Sequence, residues 1–403
     1  MSDLPTSGTE ATVKLKRGKE GPIRAGHPWI FSGAIAAFSG AAEPGAVVRI
    51  EGADSKPMGV GLYNPNGSIA VRVLSGQAVP SIAALVERRI SDALAMRRGL
   101  GLVHEDSAYR LLNGEGDGLP GVVADVYGKY VVVQLLNAGA DRLRAIIFEA
   151  LAKELSPQGI FERSTGGARR EEGLADRAEL AFGNEPPEHV AITENGVRHL
   201  VDLRRGQKTG FFLDQRDNRA LVARLSGGLR VLDCFSYTGG FALSAEKGGA
   251  DQVRAVETSG PALEIARAAA EAGGVDASRI DFRMSDVFDA LQPVEPENRP
   301  ELIILDPPPF ARHRADRDRA TRAYRDLNRK ALRALAEGGM MMTFSCSPHM
   351  TRDVFVHVVA TSAPAGHRLQ ILAQLGAGAD HPTLPAHPEG EYLCGLLVRC
   401  VRD

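Results

Sequence analysis

Short alternating runs of apolar and polar residues open this chain, and longer unbroken apolar runs close it. The short runs lie at 11–16, 46–51, 58–63 and 69–74, parted by Gly26, Pro28, Pro44, Gly45, Asn64 and Pro65. That spacing predicts a small β-barrel. Over 81–100 the apolar positions (Ile82, Leu85, Ile90, Leu94) move to helical spacing behind Ser81 as N-cap. Apolar strands at 122–126 and 130–136 flank a turn at Tyr127, Gly128 and Lys129. A helical pattern at 142–155 and a strand at 159–163 complete a small α/β unit. The polar stretch 164–188, with Gly166, Gly167, Pro186 and Pro187, reads as a loop-rich connection. Strand-like runs at 230–234, 252–257, 280–284, 302–306, 340–346, 367–374 and 392–401 then alternate with helical patterns. Such alternation predicts an α/β fold whose mostly parallel sheet is covered on both faces, with ligands bound at the carboxyl ends of the strands. The expected boundaries are a flexible N-terminus at 1–10, the barrel at 11–76, a central α/β domain at 77–189 and the large sheet domain at 190–403.

Composition is that of an ordinary globular chain, with 44% of the 403 residues hydrophobic and 24% charged. The net charge of −2 argues against a uniformly basic nucleic-acid coat, though not against a local basic face. The four cysteines (Cys234, Cys346, Cys394, Cys400) show no C-x-x-C spacing, which disfavours a zinc site and a disulfide framework. Residues 1–10 lack the apolar core of a signal peptide, and no apolar run approaches the ~18 residues of a membrane span. The expected location is therefore the cytoplasm, with no membrane partner.

Three segments carry chemistry. The first, VLDCFSYTGGF at 231–241, reads as a buried strand breaking into a glycine turn that opens a helix. Gly239 and Gly240 let a backbone approach a ligand, although a strand-to-helix turn needs glycine for structural reasons too. Glu257 ends the next apolar strand, as a ribose ligand or as a solvated charge. Asp286 ends the third, beside an adenine with Val287 or as a helix cap. These features fall on successive strands of one sheet, and their agreement favours a nucleoside-bearing cofactor. In the second segment Asp306 follows LIIL at 302–305, and Pro307, Pro308 and Pro309 stiffen the loop. Such a loop can project Asp306 and Phe310 into a cleft, where stacking of Phe310 on an extruded base would contribute ~1–3 kcal/mol. The alternative is a rigid turn with a capping Asp and a core Phe. In the third, Cys346 ends the run 340–346, ahead of Ser347, Pro348 and a helix near Thr351 whose N-terminus would favour thiolate. A free cysteine is otherwise a small core hydrophobe, the reading that suits Cys234, Cys394 and Cys400. A cofactor turn, a base-gripping loop and a nucleophilic thiol together point to methyl transfer onto a nucleic-acid base.

At these residues, and over almost its whole length, the chain resembles the bacterial S-adenosylmethionine-dependent 23S ribosomal RNA cytosine-5 methyltransferases. HPWIFSG at 27–33 and GVGLYNP at 59–65 resemble the family's N-terminal PUA domain, an RNA-binding barrel. DGLPG at 117–121 resembles its central domain, GQKTGFFLDQRDNR at 206–219 its signature ahead of the cofactor strand, and EGEYL at 389–393 fits as well. The resemblance implies a class I (Rossmann-like) methyltransferase domain at the C-terminus. It implies that Asp233, Phe235, Tyr237, Gly239 and Phe241 bind S-adenosyl-L-methionine, with Glu257 on ribose, Asp286 on adenine, and Gln215 and Arg216 closing the site. It also implies a target-base motif from Asp306 through Pro307 and Pro308 to Phe310, with Cys346 as nucleophile. Pro309 stands where relatives vary. The loop lacks the second cysteine that another branch of RNA cytosine methyltransferases uses for product release, so elimination would use another base, left unnamed.

The implied reaction adds the Cys346 thiolate to carbon 6 of a cytosine held by Asp306, and it requires no metal. The base must be unstacked, which favours naked or partly assembled large-subunit ribosomal RNA. Lys14, Lys16, Arg17, Lys19 and Arg24 form the expected RNA face of the barrel. Arg312, Arg314, Arg317, Arg319, Arg322, Arg325, Arg329 and Arg333 form a second basic run, diluted by Asp316, Asp318 and Asp326, that reads equally as a solvated helix. Self-association into a homodimer is compatible with the sequence. The competing readings are the same fold methylating a guanine nitrogen, a non-catalytic RNA-binding protein that keeps the fold, and a small-molecule methyltransferase.

Overall fold

The computed structural model describes residues 11–310, 317–347 and 350–403. The expectations for 1–10, Arg312, Arg314, Asp316 and Pro348 lie outside the described residues. The chain forms two compact units. One runs up to Val190 and includes Asp202–Phe211 and Ala379–Gly390; the other comprises Ala191–Val201, Phe212–Gly378 and Glu391–Asp403. Among the described residues no helix is long and apolar enough to cross a membrane.

In the first unit, Thr12–Leu15, Trp29–Phe31, Ile35–Ser39, Val47–Glu51, Pro57–Tyr63 and Ile69–Ser75 form a six-stranded sheet. Val13, Leu15, Ile30, Val48, Ile50 and Val71 meet in one core, so the sheet curls around it. Two of its strands were not anticipated. Trp29–Phe31 is too short to show a period, and Ile35–Ser39 exposes four of its five residues. A five-stranded sheet follows, built from Ala108–Asn113, Val122–Tyr127, Tyr130–Leu135, Gly159–Ser164 and Arg177–Gly183. The helix Ile82–Gly99 is capped as expected, with Ser81 Oγ accepting from Ala84 N at 3.2 Å. The expected loop at 164–188 instead holds the helix Gly167–Glu171 and the edge strand Arg177–Gly183. That strand leaves most of its residues exposed, although Ala178, Leu180 and Phe182 alternate with Arg177 and Glu179 along it.

The second unit begins with the hairpin of Val190–Glu194 and Val197–Val201, followed by α1 (Arg216–Leu225). Then come β1 (Arg230–Cys234), α2 (Gly240–Lys247), β2 (Gln252–Glu257), α3 (Gly260–Glu271), β3 (Ile280–Met284) and β4 (Leu302–Leu305). The last elements are α4 (Arg317–Ala334), β5 (Met340–Ser345), α5 (Arg352–Ala360), β6 (His367–Leu375) and β7 (Cys394–Arg402). The sheet order is β3-β2-β1-β4-β5-β7-β6. Strands β1 to β5 are parallel, while β7 pairs antiparallel with both β5 and β6. The chain leaves β1 toward β2 and β3, then returns to lay β4 on the other side of β1. That reversal opens a crevice at the carboxyl ends of β1 and β4. Cys234 stands opposite Leu305, so Phe235 and Asp306 are the first residues past the paired strands.

A buried ionic cluster fixes α1 to the hairpin. Glu194 accepts from Arg219 Nε at 2.6 Å and Nη2 at 2.9 Å, and Arg216 Nη1 lies 3.6 Å away. Burial alone would push the Glu194 carboxyl up; the Arg219 and Arg216 guanidiniums outweigh it and hold the group below the usual carboxylate range. His199 shares this interior, and burial pushes its imidazole down to about 4. The unfolded chain therefore takes up a proton at His199 that the fold refuses, in the window from 6.5 down to about 4. Stability should fall as pH is lowered through that window, by on the order of 3 kcal/mol at its full extent. Urea midpoints measured from about pH 7.5 to about pH 5 should decline more steeply for the native chain than for His199→Gln, and parallel curves would refute the assignment.

Candidate active site

Past β1 the backbone turns through Phe235 (φ 62°), Tyr237 (φ 49°) and Gly239 (φ 77°), all left-handed. The two that carry a Cβ each cost on the order of 1–3 kcal/mol, so their surroundings must impose the conformation. Ser236 N donates to the Val256 carbonyl at 3.0 Å, Tyr237 N to Glu257 Oε2 at 2.9 Å, and Gly239 N to the Ser236 carbonyl at 2.8 Å. The Phe212 ring packs edge-on against Tyr237 at 5.5 Å. A side chain at Gly239 would meet Ala266 Cβ at 3.1 Å, in a conformation that already favours glycine.

This turn surrounds polar atoms that no group among the described residues satisfies. Asp233 Oδ2 accepts from Ala242 N at 3.0 Å, in the first turn of α2. Its other oxygen, Oδ1, is buried without a partner, as are Ser236 Oγ and Thr238 Oγ1. Burial pushes the Asp233 carboxyl well above its usual range, and Asp306 and Glu257 add to this against the Ala242 hydrogen bond. Three orphaned polar atoms about one strained turn, one of them on a carboxyl group, fit a polar cationic ligand.

Glu257 is half-buried at the end of β2 and binds the turn together. Besides Tyr237 N, it accepts from Thr258 N at 2.8 Å, Ser259 N at 3.0 Å and Thr258 Oγ1 at 3.2 Å. Asp286 is exposed, and its Oδ1 caps the short helix Val287–Ala290 by accepting from Phe288 N at 2.7 Å. Val287 is buried beneath it, while Met284 (69% exposed) and Phe288 (39%) flank it. Phe241 points into the core and stacks on Phe344 at 6.0 Å.

At the end of β4, Asp306 is half-buried and its Oδ2 accepts from Gln215 Nε2 at 3.1 Å. Arg216, beside Gln215, runs to Glu194 instead. Pro307 is buried, Pro308 is exposed, and Phe310 leans on Tyr324 with ring centroids 4.7 Å apart. Cys346 is the one cysteine of four that is not buried, and its Sγ lies 3.9 Å from the Pro307 carbonyl oxygen. Burial pushes the thiols of Cys234, Cys394 and Cys400 up. The helix expected after Cys346 is α5, with Thr351 at its N-cap. In α4, Arg317, Arg319, Arg322 and Arg333 are exposed, and Arg325 Nε donates to Thr361 Oγ1 at 3.2 Å.

In the first unit, Lys14 and Lys16 alternate with buried Val13 and Leu15 and so share the outer face of their strand. Lys14 Nζ donates to Ser55 Oγ at 2.9 Å and Lys16 Nζ to the Gly33 carbonyl at 2.8 Å, while Arg17 is exposed.

Several participants went unnoticed in the sequence. Asp214 is buried and accepts from the Tyr392 hydroxyl at 2.7 Å. Asn218 Nδ2 donates to Gln215 Oε1 at 2.6 Å and to the Gly376 carbonyl at 3.0 Å. All three side chains belong to the runs at 206–219 and 389–393, and the density of polar residues there was the available signal. Glu194 and His199 gave none, because each lies in a short strand whose partners, such as Arg219, are distant in sequence.

Comparison with known proteins bears on this geometry. Residues 170–386 match the family of S-adenosylmethionine-dependent methyltransferases, and residues 13–76 match the PUA-like domain. The chain is 40% identical over 390 residues to the ribosomal RNA large subunit methyltransferase I of Erwinia tasmaniensis, spanning 96% of this chain and 98% of the relative. It is likewise 40% identical over 388 residues to that of Escherichia coli O139:H28, spanning 96% and 98%. Among solved structures, a candidate S-adenosylmethionine-dependent methyltransferase from Streptococcus mutans is similar over 96% of this chain and 99% of its own (TM-score 0.81, 23% identity). Another candidate methyltransferase, complexed with SAH, is similar over the same shares with TM-score 0.83 and 23% identity. Both the expected resemblance and the expected fold are met.

S-adenosylmethionine carries an ammonium that suits the orphaned Asp233 oxygen. Because the folded chain resists ionising Asp233, the buried carboxyl costs stability that grows as pH rises above the ordinary carboxylate range. Asp233→Asn should therefore keep or raise the thermal midpoint at neutral pH while weakening S-adenosylmethionine binding roughly tenfold or more in calorimetry. Unchanged affinity would show that the cation sits elsewhere.

Proposed function

Because this chain belongs to the ribosomal RNA large subunit methyltransferase I family, we propose that it methylates carbon 5 of a cytosine in 23S ribosomal RNA through a covalent Cys346 adduct. Methyl transfer from S-adenosylmethionine to large-subunit ribosomal RNA is the family's shared ground. The finer reading is carried by one observation: a half-buried thiol 3.9 Å from the carbonyl of Pro307, the residue next to Asp306. Methylating a ring or amine nitrogen needs no thiol. Carbon 5 of cytosine becomes nucleophilic only once a nucleophile has added at carbon 6.

In this reading the Cys346 thiolate forms a bond to carbon 6, and the π pair of the 5,6 double bond moves onto carbon 5 and toward ring nitrogen 3. The Asp306 carboxyl, carrying a proton, donates to nitrogen 3 and accepts from the exocyclic amine while that charge develops. S-adenosylmethionine, when bound, supplies an electrophilic methyl whose bonding pair remains on the departing sulfur. A base then takes the carbon 5 proton, the 5,6 double bond reforms, and the Cys346–carbon 6 bond breaks to return thiolate. One C–H becomes one C–CH3, with one proton released.

The same reading gives Glu257 and Asp286 to the ribose and adenine and the half-buried Phe310 to base stacking. Lys14, Lys16 and Arg17 go to phosphate contacts on naked or partly assembled RNA, and the cytoplasm becomes the place of work. The three-domain partition at 11–76, 77–189 and 190–403 belongs to it as well.

Ribosomal RNA carrying 5-fluorocytosine tests this directly, since fluorine cannot leave as a proton does and the adduct persists. The native protein with S-adenosylmethionine should yield a covalent protein–RNA species. Cys346→Ser should yield none while still binding the cofactor. Methylation by the native protein without any adduct would instead favour a guanine nitrogen as acceptor.

A further inference from the structure

One buried phenol joins the segment that carries Phe310 to the segment that carries Cys346. Tyr324 lies on the inner side of α4 and is fully buried. Its hydroxyl sits 3.0 Å from Ser347 Oγ, on the residue after Cys346. It also hydrogen-bonds with Ser345, the residue before Cys346, and with the Phe310 backbone N–H. Ser347 N donates to Ser345 Oγ at 3.3 Å, so the serines on either side of the thiol are tied to each other as well. The Tyr324 ring meets Phe310 at 4.7 Å and Phe355 of α5 at 5.9 Å. Both serines are buried while the thiol between them is half-buried. Buried hydroxyls require partners, and a phenol can donate once and accept as well, so a single oxygen serves both segments. Packing between Phe310 and Phe355 asks only for a ring; the hydroxyl adds the link to the end of β5. Burial pushes the Tyr324 phenol up; hydrogen bonding with Ser345, Ser347 and the Phe310 backbone opposes that push, and Cys346 adds to it. The phenol therefore keeps its proton at neutral pH, which suits it to orient its neighbours and not to take the carbon 5 proton.

We propose that Tyr324 is a positioning residue that sets the Cys346 thiol against the target base: its hydroxyl fixes the 345–347 segment, and its ring backs Phe310. The role rests on Cys346 as the nucleophile and Phe310 as the stacking ring. Its two halves should separate in kinetics. Attack on carbon 6 needs the sulfur within a narrow range of approach, so a loosened segment lowers the rate and leaves affinity alone. Stacking holds the base in the ground state and the transition state alike, so a loosened Phe310 weakens RNA binding and shows in KM.

The test compares Tyr324→Phe, Tyr324→Leu and Ser347→Ala with the native enzyme in methylation of 23S ribosomal RNA and in the rate of adduct formation on 5-fluorocytosine RNA. Each rate is normalised to the fraction of protein that binds S-adenosylmethionine in calorimetry, so that misfolded protein does not count. Tyr324→Phe keeps the ring and loses the hydroxyl. Its kcat and adduct rate should fall roughly tenfold, with the RNA KM within about twofold of native. Ser347→Ala should behave alike, and combining the two should cost little more than either alone, because both remove one link. Tyr324→Leu should lose at least as much in kcat and also raise the RNA KM. A native-like kcat and adduct rate in Tyr324→Phe would overturn the proposal. So would losses in Tyr324→Phe and Ser347→Ala that multiply in full, since the hydroxyl would then not act through the serine. If the native enzyme methylates RNA yet forms no adduct, the Cys346 reading itself fails and the role of Tyr324 with it. A normal native adduct alongside an unimpaired Tyr324→Phe removes the role of Tyr324 alone.

Discussion

Strand β4 is buried on both faces along its entire length, and the placement of the site follows from that. Leu302 and Ile304 face one core, Ile303 and Leu305 the other, and all four are fully buried. Two-sided burial leaves no position on the strand for a polar side chain, so the first one appears at Asp306. Strand β1 obeys the same rule with one exception. Val231 faces one core and Leu232 and Cys234 the other, but Asp233 occupies a position where the alternation asks for an apolar residue. A carboxyl there is costly unless something compensates it, and among the described residues its one hydrogen bond is from the Ala242 N–H to a single oxygen. The rule of burial thus isolates the departure from it, and the departure lies beside three left-handed residues and two more orphaned hydroxyls.

Ionic burial serves a different end at Glu194. A buried carboxylate with two guanidiniums gains little net stability over apolar packing, but its geometry is directional and admits few alternatives. Arg219 spans Glu194 and also donates from Nη1 to the Phe212 carbonyl at 2.9 Å. The pair therefore fixes both the hairpin and the start of the segment that carries Phe212, Asp214, Gln215 and Asn218. Phe212 in turn lies on Tyr237, and Gln215 on Asp306. Groups around the crevice owe their orientation to this buried ion pair.

Much of this was legible in the sequence where burial imposes a period. All seven strands of the large sheet were anticipated to within about two residues; the central ones are buried on both faces and leave continuous apolar runs, while the edge strands β3 and β6 are largely exposed. Other strands escaped notice: Ile35–Ser39 and Arg177–Gly183 expose most of their residues, whereas Ala108–Asn113, Val190–Glu194 and Val197–Val201 went unread although they bury most of theirs. Site residues at strand ends, such as Glu257 and Asp306, announced themselves by breaking an apolar run. Glu194 did not, since its partner Arg219 is distant in sequence, and Asn218 showed only through the polar run around it, one of its partners being the remote Gly376 carbonyl. Phe241 shows the reverse limit. Its motif position suggested a ligand contact, whereas an eight-residue helix packed on the sheet turns it inward onto Phe344.

The cysteines show how one residue type separates into different chemistries by ladder position alone. Cys234 lies within the pairing of β1 with β4, and Cys394 and Cys400 within β7, where each thiol is packed in hydrocarbon. Ionising any of them would strand a charge in the core, and burial pushes all three thiols up. The last ladder pair of β5 is Ser345 with Cys394, and Cys346 is the next residue. One step beyond the ladder, its sulfur escapes two-sided burial while remaining against the backbone that carries Asp306. Shifting the end of β5 by a single residue would draw that sulfur into the sheet or exchange it for a serine. The usable position for a thiolate is therefore set by where strand pairing stops, a property of the whole sheet.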